Sequence, residues 1–280
     1  MIRIGAQVSM SRGFQDTVEE ARLAGLDSIQ IFSRSPVGGQ SRGLPDPGAA
    51  ARWLADANLR PLFVHAPYFV NPAAVDPQMR DRAHQVLGDE MIRVKRLTGD
   101  YMVVHPGHRQ AGATELESLD AFAKTVLYLL SKPGRVLIEN ASGQGREIGG
   151  DFEVLAAILD QIGPTPRVGI MLDTAHAMAF GYRLSTVDDW QALCKVMAHT
   201  VGLGRVRGVH LNDTVYPVGS RRDRHAALLT GSLTEAALGA IIRTADEYEW
   251  PLILETPGKT AKARGEDLRI VKSVAKEVFS

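Results

Sequence analysis

Short, nearly continuous apolar runs alternate along this chain with longer amphipathic stretches. The runs are "IRIGAQV" (2–8), "SIQIF" (28–32), "PLFVH" (61–65), "YMVVH" (101–105), "RVLIE" (135–139), "RVGIMLD" (167–173), "RVRGVH" (205–210) and "PLILE" (251–255). Most do not alternate apolar with polar, which is the pattern of parallel strands covered on both faces. Between them, stretches such as "GFQDTVEEARLAG" (13–25), "TELESLDAFAKTVLYLL" (114–130), "DFEVLAAILDQIG" (151–163) and "TEAALGAIIRTADEY" (234–248) carry helical periodicity. Eight strand–helix units, with no Gly/Ser tract or charge block between them, predict a single α/β domain over residues 1–280. Its expected form is a (β/α)8 TIM barrel with the active site at the C-terminal ends of the strands. A doubly wound open sheet is the alternative, but it rarely needs eight equivalent units. The proline-bearing connection from 66 to about 78 is expected to cross the top face.

The residues that close these runs carry the candidate chemistry. The third ends in His65, the fourth in His105, the fifth in Glu139, the sixth in Asp173, the seventh in His210 and the eighth in Glu255. In a barrel these ends converge on one mouth. A lone His or Glu at a strand end is more often a hydrogen-bonded structural residue than a ligand. Six together reverse that expectation, because packed imidazoles and carboxylates would repel or stay unsatisfied unless a cation joined them. His176 follows Asp173 as D-T-A-H, one turn later if a helix begins there, and Asp223 and His225 can face one side of an extended segment.

These nine positions (five His, two Asp, two Glu) exceed the four or five ligands that a zinc ion takes. They suit two or three ions sharing bridging carboxylates. The nitrogen and oxygen donor set fits Zn2+, with Mn2+ or Fe2+ as alternatives at some sites. His84 and His199 fall inside helical patterns and are expected to be structural. His108, in "HPGHRQ", is open between supporting a ligand and facing substrate.

Composition narrows the class. A chain of 280 residues can bury about three quarters of its unfolded surface without disulfide help. Lys plus Arg and Asp plus Glu both number 32, so affinity for nucleic acid has to come from a local patch. The single Cys194 excludes an internal disulfide and a four-cysteine zinc site, and reads as a small buried hydrophobe. No run reaches the ~18–20 apolar residues of a membrane span, and "MIRIGAQVS" lacks a secretory apolar segment. A cytoplasmic protein with no membrane contact is expected.

Closely spaced metals suit hydrolysis of a phosphate ester: they acidify a shared water, polarise phosphoryl oxygens and stabilise the leaving alkoxide. Arg34, Arg146, Arg183, Arg221, Arg222 and Arg224 lie in segments following strands on the expected active face, although any one arginine is ordinarily a solvated surface charge. The Gly-rich "SGQGREIGG" (142–150) spaces its glycines G-x-G-x-x-x-G, so it reads as a tight mouth loop and not a dinucleotide fingerprint.

The segments "IGAQVS", "VHAPYFVN", "HPG", "IENASGQG", "RVGIMLDTAHAMAFGY", "GVHLNDTVYPVGSRRDRHA" and "PLILETP" together resemble the endonuclease IV family of apurinic/apyrimidinic endonucleases, within the xylose isomerase-like TIM barrel superfamily. "LDTAHAxxxGY", "HLND" and "GSxxDRH" are the specific parts. The resemblance implies a trinuclear zinc site. His65, His105 and Glu139 would hold one ion; Glu139 would bridge to a second, held also by Asp173, His210 and Glu255; His176, Asp223 and His225 would hold the third. Glu139, Asp173 and Glu255 would then carry the catalytic role. The implied reaction is hydrolysis of the phosphodiester 5′ to an abasic site in duplex DNA by a metal-bound hydroxide, leaving a 3′-hydroxyl. DNA bending and extrusion of the abasic nucleotide accompany it.

Tyr68 matches a family tyrosine that enters the DNA. Arg224, pointing away from the ion by alternation, is expected to face the DNA backbone, with Arg222 and Arg34 as further candidate phosphate contacts. A monomer without a protein partner is expected. The chain departs from the family in three places. "FSRSPVGGQSRG" has Val37, Gly38 and Gly39 where bulky inserting residues are usual, Gln7 stands where His is common, and "LLTGSL" replaces a G-x-G run after His225.

Two other readings compete. A metal-dependent sugar or sugar-phosphate isomerase or epimerase on the same barrel would use Glu139, Asp173, His210 and Glu255. It would have no need of His65, His105, His176, Asp223 and His225. A non-catalytic DNA-binding protein with a vestigial site would not be expected to keep every ligand.

Overall fold

The computed structural model describes residues 2–39, 43–258 and 260–280. In chain order the elements are β1 (Ile4–Gln7), α1 (Phe14–Leu23), β2 (Ser28–Ile31), α2 (Pro47–Asp56), β3 (Leu62–His65), α3 (Pro77–Arg96), β4 (Tyr101–Val104), α4 (Glu115–Leu130), β5 (Val136–Glu139) and α5 (Phe152–Ile162). There follow β6 (Val168–Asp173), α6 (Thr174–Phe180), α7 (Val187–His199), β7 (Val206–His210), β8 (Asp213–Thr214), β9 (His225–Ala226), α8 (Glu235–Glu247), β10 (Leu252–Leu254) and α9 (Gly265–Val278). Eight of the strands close a barrel in the order β1-β10-β7-β6-β5-β4-β3-β2, and every pairing within it is parallel. The expected barrel is therefore the observed one, with each strand slightly shorter than its apolar run.

Polar caps start the helices where the sequence changes period. Thr114 accepts from the Glu117 N–H while Glu117 bonds back to Thr114, a reciprocal capping box. Asp76 caps α3 ahead of Pro77, and Asp151 caps α5. Apolar helix faces pack on the outside of the strands, forming one continuous buried layer that includes Leu54, Leu87, Phe122, Leu155, Trp190 and Ile241.

Inside the barrel a second cluster consists of Phe63, Val103, Leu137, Met171 and Ile253, with Tyr101 against it. Each of its five buried members lies two residues before a candidate ligand: His65, His105, Glu139, Asp173 and Glu255. Side chains two apart share a strand face, so the same alternation that fills the barrel with hydrocarbon puts the ionisable groups one layer above it. The apolar plug forms a dry floor beneath them.

Two local features were not legible in the apolar pattern. The segment after Asp173 turns at once into α6, and β8 and β9 pair antiparallel outside the barrel, Asp213 opposite Ala226 and Thr214 opposite His225. That hairpin folds the arginine-rich loop back over the mouth. Among the described residues no helix is long and apolar enough to cross a membrane.

Gly5 of β1 marks the tightest approach in the barrel wall. A methyl group there would fall 2.3 Å from Ser28 Oγ and 2.4 Å from the Ser28 carbonyl oxygen. Gly5→Ala is expected to destabilise the fold by about 1–3 kcal/mol through overpacking, read as a lowered midpoint of urea denaturation; an unchanged midpoint would mean that β1 and β2 can separate freely.

Candidate metal centre

Four of the predicted ligands, His65, Glu139, Asp173 and His210, are the last residues of β3, β5, β6 and β7; His105 and Glu255 directly follow β4 and β10. Glu139 is the hub. One of its carboxylate oxygens lies 3.1 Å from His65 Nε2 and 3.1 Å from His105 Nε2. The other lies 2.9 Å from His210 Nδ1 and 3.3 Å from His176 Nδ1. Asp173 caps α6 by accepting from the His176 N–H at 2.7 Å, which fixes His176 one turn further on. The β8–β9 hairpin delivers the last two ligands: Asp223 is 3.4 Å from His176 Nε2, and 3.5 Å from His225 Nε2. All nine sequence-predicted positions thus meet at one mouth.

The imidazoles are oriented by what their other nitrogen touches. His65 Nδ1 faces its neighbour's carbonyl (Ala66, 2.8 Å), His176 Nδ1 the Asn140 carbonyl (2.9 Å) and His225 Nδ1 the Glu255 carbonyl (3.3 Å). Each therefore carries its proton on Nδ1 and aims Nε2 at the centre. His225 Nε2 is buried and has no hydrogen-bond partner among the described residues, an arrangement that costs free energy unless a Lewis acid uses its lone pair.

Three sets of donor atoms lie close enough to share an ion: His65, His105 and Glu139; Glu139, Asp173, His210 and Glu255; and Asp173, His176 and His225. The first two match the sets that the family resemblance implies. In the third, Asp173 joins His176 and His225, so that it belongs to two sets, its Oδ2 facing both His210 and His225, with Asp223 beside them. The chemistry and spacing of these residues fit the binding of metal ions.

Electrostatics without a cation shows how much charge the residues must balance among themselves. Burial would push the Glu139 carboxyl up, but His210 and His105 hold it well below the usual carboxylate range. Burial opposes protonation of His210, yet Glu139 and Glu255 raise it to about 9. His176 is likewise raised well above its ordinary value, against its burial, by Asp173 and Asp223. Burial disfavours ionisation of Asp223 too, and His176 and His225 lower it to about 2.

Amide side chains, which carry no ligand signature of their own, set the carboxylates. Asn140 accepts from the Asp173 N–H at 2.7 Å and donates to the Asp173 carbonyl at 3.0 Å. Asn212 donates to Asp173 Oδ2 at 2.7 Å and accepts from the Glu255 N–H at 2.9 Å, tying two strand ends together. Gln144 Oε1 accepts from the Asp223 N–H at 2.9 Å and pins the arginine loop. Asn140 and Asn212 sit one residue after Glu139 and two after His210, and that adjacency is the only signal they left in the sequence.

A cavity of about 310 Å³ opens above the ligands, with Tyr68, His105, Glu139, His176, Asp223 and Glu255 in its walls. Tyr68 is 53% exposed and stands edge-on to His65 and His105, with ring centroids 5.1 and 5.5 Å away. His108 also lines the cavity, held by Asn71 through its main-chain N–H and carbonyl. His84 and His199 lie on α3 and α7, away from the centre; His84 stacks on Tyr128. The Arg222 guanidinium lies 3.8 Å over the Tyr216 ring and that of Arg221 4.5 Å over Phe180, while Arg224 is exposed.

Arg34 is placed otherwise than the sequence suggested. Its guanidinium is engaged by Glu90 and Asp89 of α3 and is largely buried, so its charge is spent inside the fold and not offered to a phosphate. Val37 is 81% exposed and is followed by Gly38 and Gly39 at φ 98° and 104°. Gln40, Ser41 and Arg42 of the same run lie outside the described residues.

Known proteins share this chain's sequence and fold over nearly its whole length. A family model described as xylose isomerase-like TIM barrel matches residues 18–274. A probable endonuclease 4 of Moorella thermoacetica is 35% identical over 280 residues, covering 98% of this chain and 99% of that one. One of Heliobacterium modesticaldum is 36% identical, covering 94% and 96%. The crystal structure of endonuclease IV from Thermus thermophilus superposes with a TM-score of 0.85 at 31% identity, covering 98% and 99%. An L-ribulose 3-epimerase shares the fold alone, at a TM-score of 0.68 and 17% identity.

Metal ions bind neutral imidazole, and without them His210 is raised to about 9 and His176 well above its ordinary value. Zinc added to chelator-stripped protein at neutral pH should therefore expel protons, and affinity should fall as the pH is lowered. Titration calorimetry in buffers of different ionisation heat reads this directly; an apparent heat independent of buffer would contradict it.

Proposed function

Because the chain belongs to the endonuclease IV family, within the xylose isomerase-like TIM barrels, we propose that it is a zinc-dependent DNA-repair endonuclease acting on abasic sites in duplex DNA. The observation that carries this reading is the set of three donor groups joined through Glu139 and Asp173 at one mouth. An isomerase needs only the central set; His65, His105, His176, Asp223 and His225 are explained by a larger centre.

In this reading about three zinc ions are held per chain, with Mn2+ or Fe2+ as alternatives at some positions. When bound, such ions supply an acidified water and charge stabilisation for the phosphoryl and leaving oxygens. The residues do the rest. Glu139 presents its two oxygens to different donor sets, and Asp173 belongs to two sets, so together they fix the spacing of the centre. Glu255 completes the central set on the side of β10. Tyr68, on the rim, is positioned to meet the nucleotide next to the reacting phosphate. Arg222, held flat on Tyr216, and Arg224, exposed, offer charge to the DNA backbone. The barrel is proposed to act as one cytoplasmic, monomeric unit.

Incision of a duplex oligonucleotide carrying a tetrahydrofuran abasic analogue is the direct test. The expected products are a break 5′ to the analogue and a 3′-hydroxyl end; turnover of a sugar or sugar phosphate without incision would transfer the assignment to an isomerase. Elemental analysis of protein purified without chelator should give about two to three zinc per chain, and one or none would refute the trinuclear centre. Glu139→Ala is expected to lower incision by at least about 100-fold and to release metal from two sets at once.

A further inference from the structure

Among the imidazoles of the centre, His210 is oriented differently. His65, His176 and His225 have Nδ1 tied to main-chain carbonyls and present Nε2. His210 presents Nδ1 to Glu139, Glu255 and Asp173, at 2.9, 3.3 and 3.9 Å. Its Nε2 meets a side chain, Gln30 Oε1 of β2, at 2.8 Å. Gln30 is fully buried, and its amide nitrogen donates to Glu255 Oε1 at 2.6 Å and Gln7 Oε1 at 2.9 Å.

We propose that Gln30 is the positioning residue of the central metal set: it fixes the tautomer of His210, so that Nδ1 is the ligand atom, and it holds Glu255 in the same plane. The inference rests on the metal-centre reading above. The orientation of the amide follows from its neighbours. The Glu255 carboxylate offers only oxygen lone pairs toward Gln30, so the amide N–H groups must face it, and Gln7 turns its Oε1 to accept the remaining hydrogen. The carbonyl is then left facing His210, and the opposite flip would set it against the Glu255 carboxylate. A carbonyl facing Nε2 requires a proton there, which leaves the Nδ1 lone pair for an ion between Glu139, Asp173 and Glu255. Gln7 accepts the second amide hydrogen and so locks the flip from β1. A main-chain carbonyl does this work for His65, His176 and His225, whereas here it depends on one replaceable side chain.

Two measurements test it, neither of which uses incision. In 15N-correlated NMR spectra of the zinc-loaded native protein, His210 should show a protonated Nε2 and a metal-bound Nδ1; the reverse assignment would overturn the proposal. In Gln30→Met, which keeps length and removes the amide, competition with a chromogenic chelator should show one class of zinc bound about 10–100-fold more weakly. The remaining zinc should be unaffected and circular dichroism native. Native zinc affinity in that variant would refute the role. Should Gln30→Met fail to fold, Gln7→Met, which only unlocks the amide, is expected to weaken the same class of zinc by a smaller factor, and the native-protein spectrum decides the tautomer by itself. A native protein that shows the expected His210 signals but does not incise DNA would refute the proposed function and leave this inference standing.

Discussion

The centre depends on keeping the buried carboxylate of Glu139 ionised. A buried charge is tolerated only when opposite charge and hydrogen bonds surround it, and Glu139 meets four imidazoles within 3.3 Å. Without a cation the compensation has to come from protons on these rings, and His105, His176 and His210 are all raised above their ordinary value, which crowds positive charge onto adjacent imidazoles. Divalent ions remove that conflict and occupy the lone pairs left over, of which the buried His225 Nε2 is the plainest case.

Geometry at this scale has to be held from outside the cluster. The barrel supplies it in two tiers. Strand ends converge on the mouth, and the layer of Phe63, Val103, Leu137, Met171 and Ile253 beneath them excludes water from below. Around the ligands, main-chain carbonyls and the Gln30 amide select ring tautomers, Asn212 holds the Asp173 carboxylate, and the Asn140 amide holds the Asp173 main chain. Neutral amides suit this task, since they bridge two charged groups without adding charge of their own. The mouth loops are held by a different chemistry: Gln144 and the stacking of Arg221 and Arg222 on aromatic rings fasten the hairpin loop that carries Asp223 and His225. Centre and rim can therefore vary separately, and the small Val37–Gly39 run lies on the rim.

The barrel was legible in eight apolar runs with helical stretches between them, and six candidate ligands in the residues that close those runs. Alternation along a strand then sets five of those ligands one layer above the apolar plug. Leu137 and Glu139, or Met171 and Asp173, are two apart and must share a face, whatever the rest of the chain does. His176 was legible for the same kind of reason, one helical turn from Asp173. Arg34 was misread because its partners, Asp89 and Glu90, stand 55 and 56 residues away on α3, and a free and a neutralised arginine look alike in sequence. Asn212 stood within "HLND" and Gln30 within a strand run, but neither showed its role, because a buried amide is recognisable only by what it touches.

What the sequence by itself determined is the inventory and its rough destination: parallel strands, their polar ends, and nine donors of a hard, nitrogen-and-oxygen type. Only the tertiary structure decided how those donors divide into sets, that Asp173 is shared between two of them, that His210 turns the opposite nitrogen inward, and which arginines stay at the surface. The reason is physical. Periodicity fixes the face on which a side chain lies, while hydrogen-bond direction and charge compensation are settled by contacts between residues as far apart as Gln30 and Glu255, separated by 225 positions in the chain.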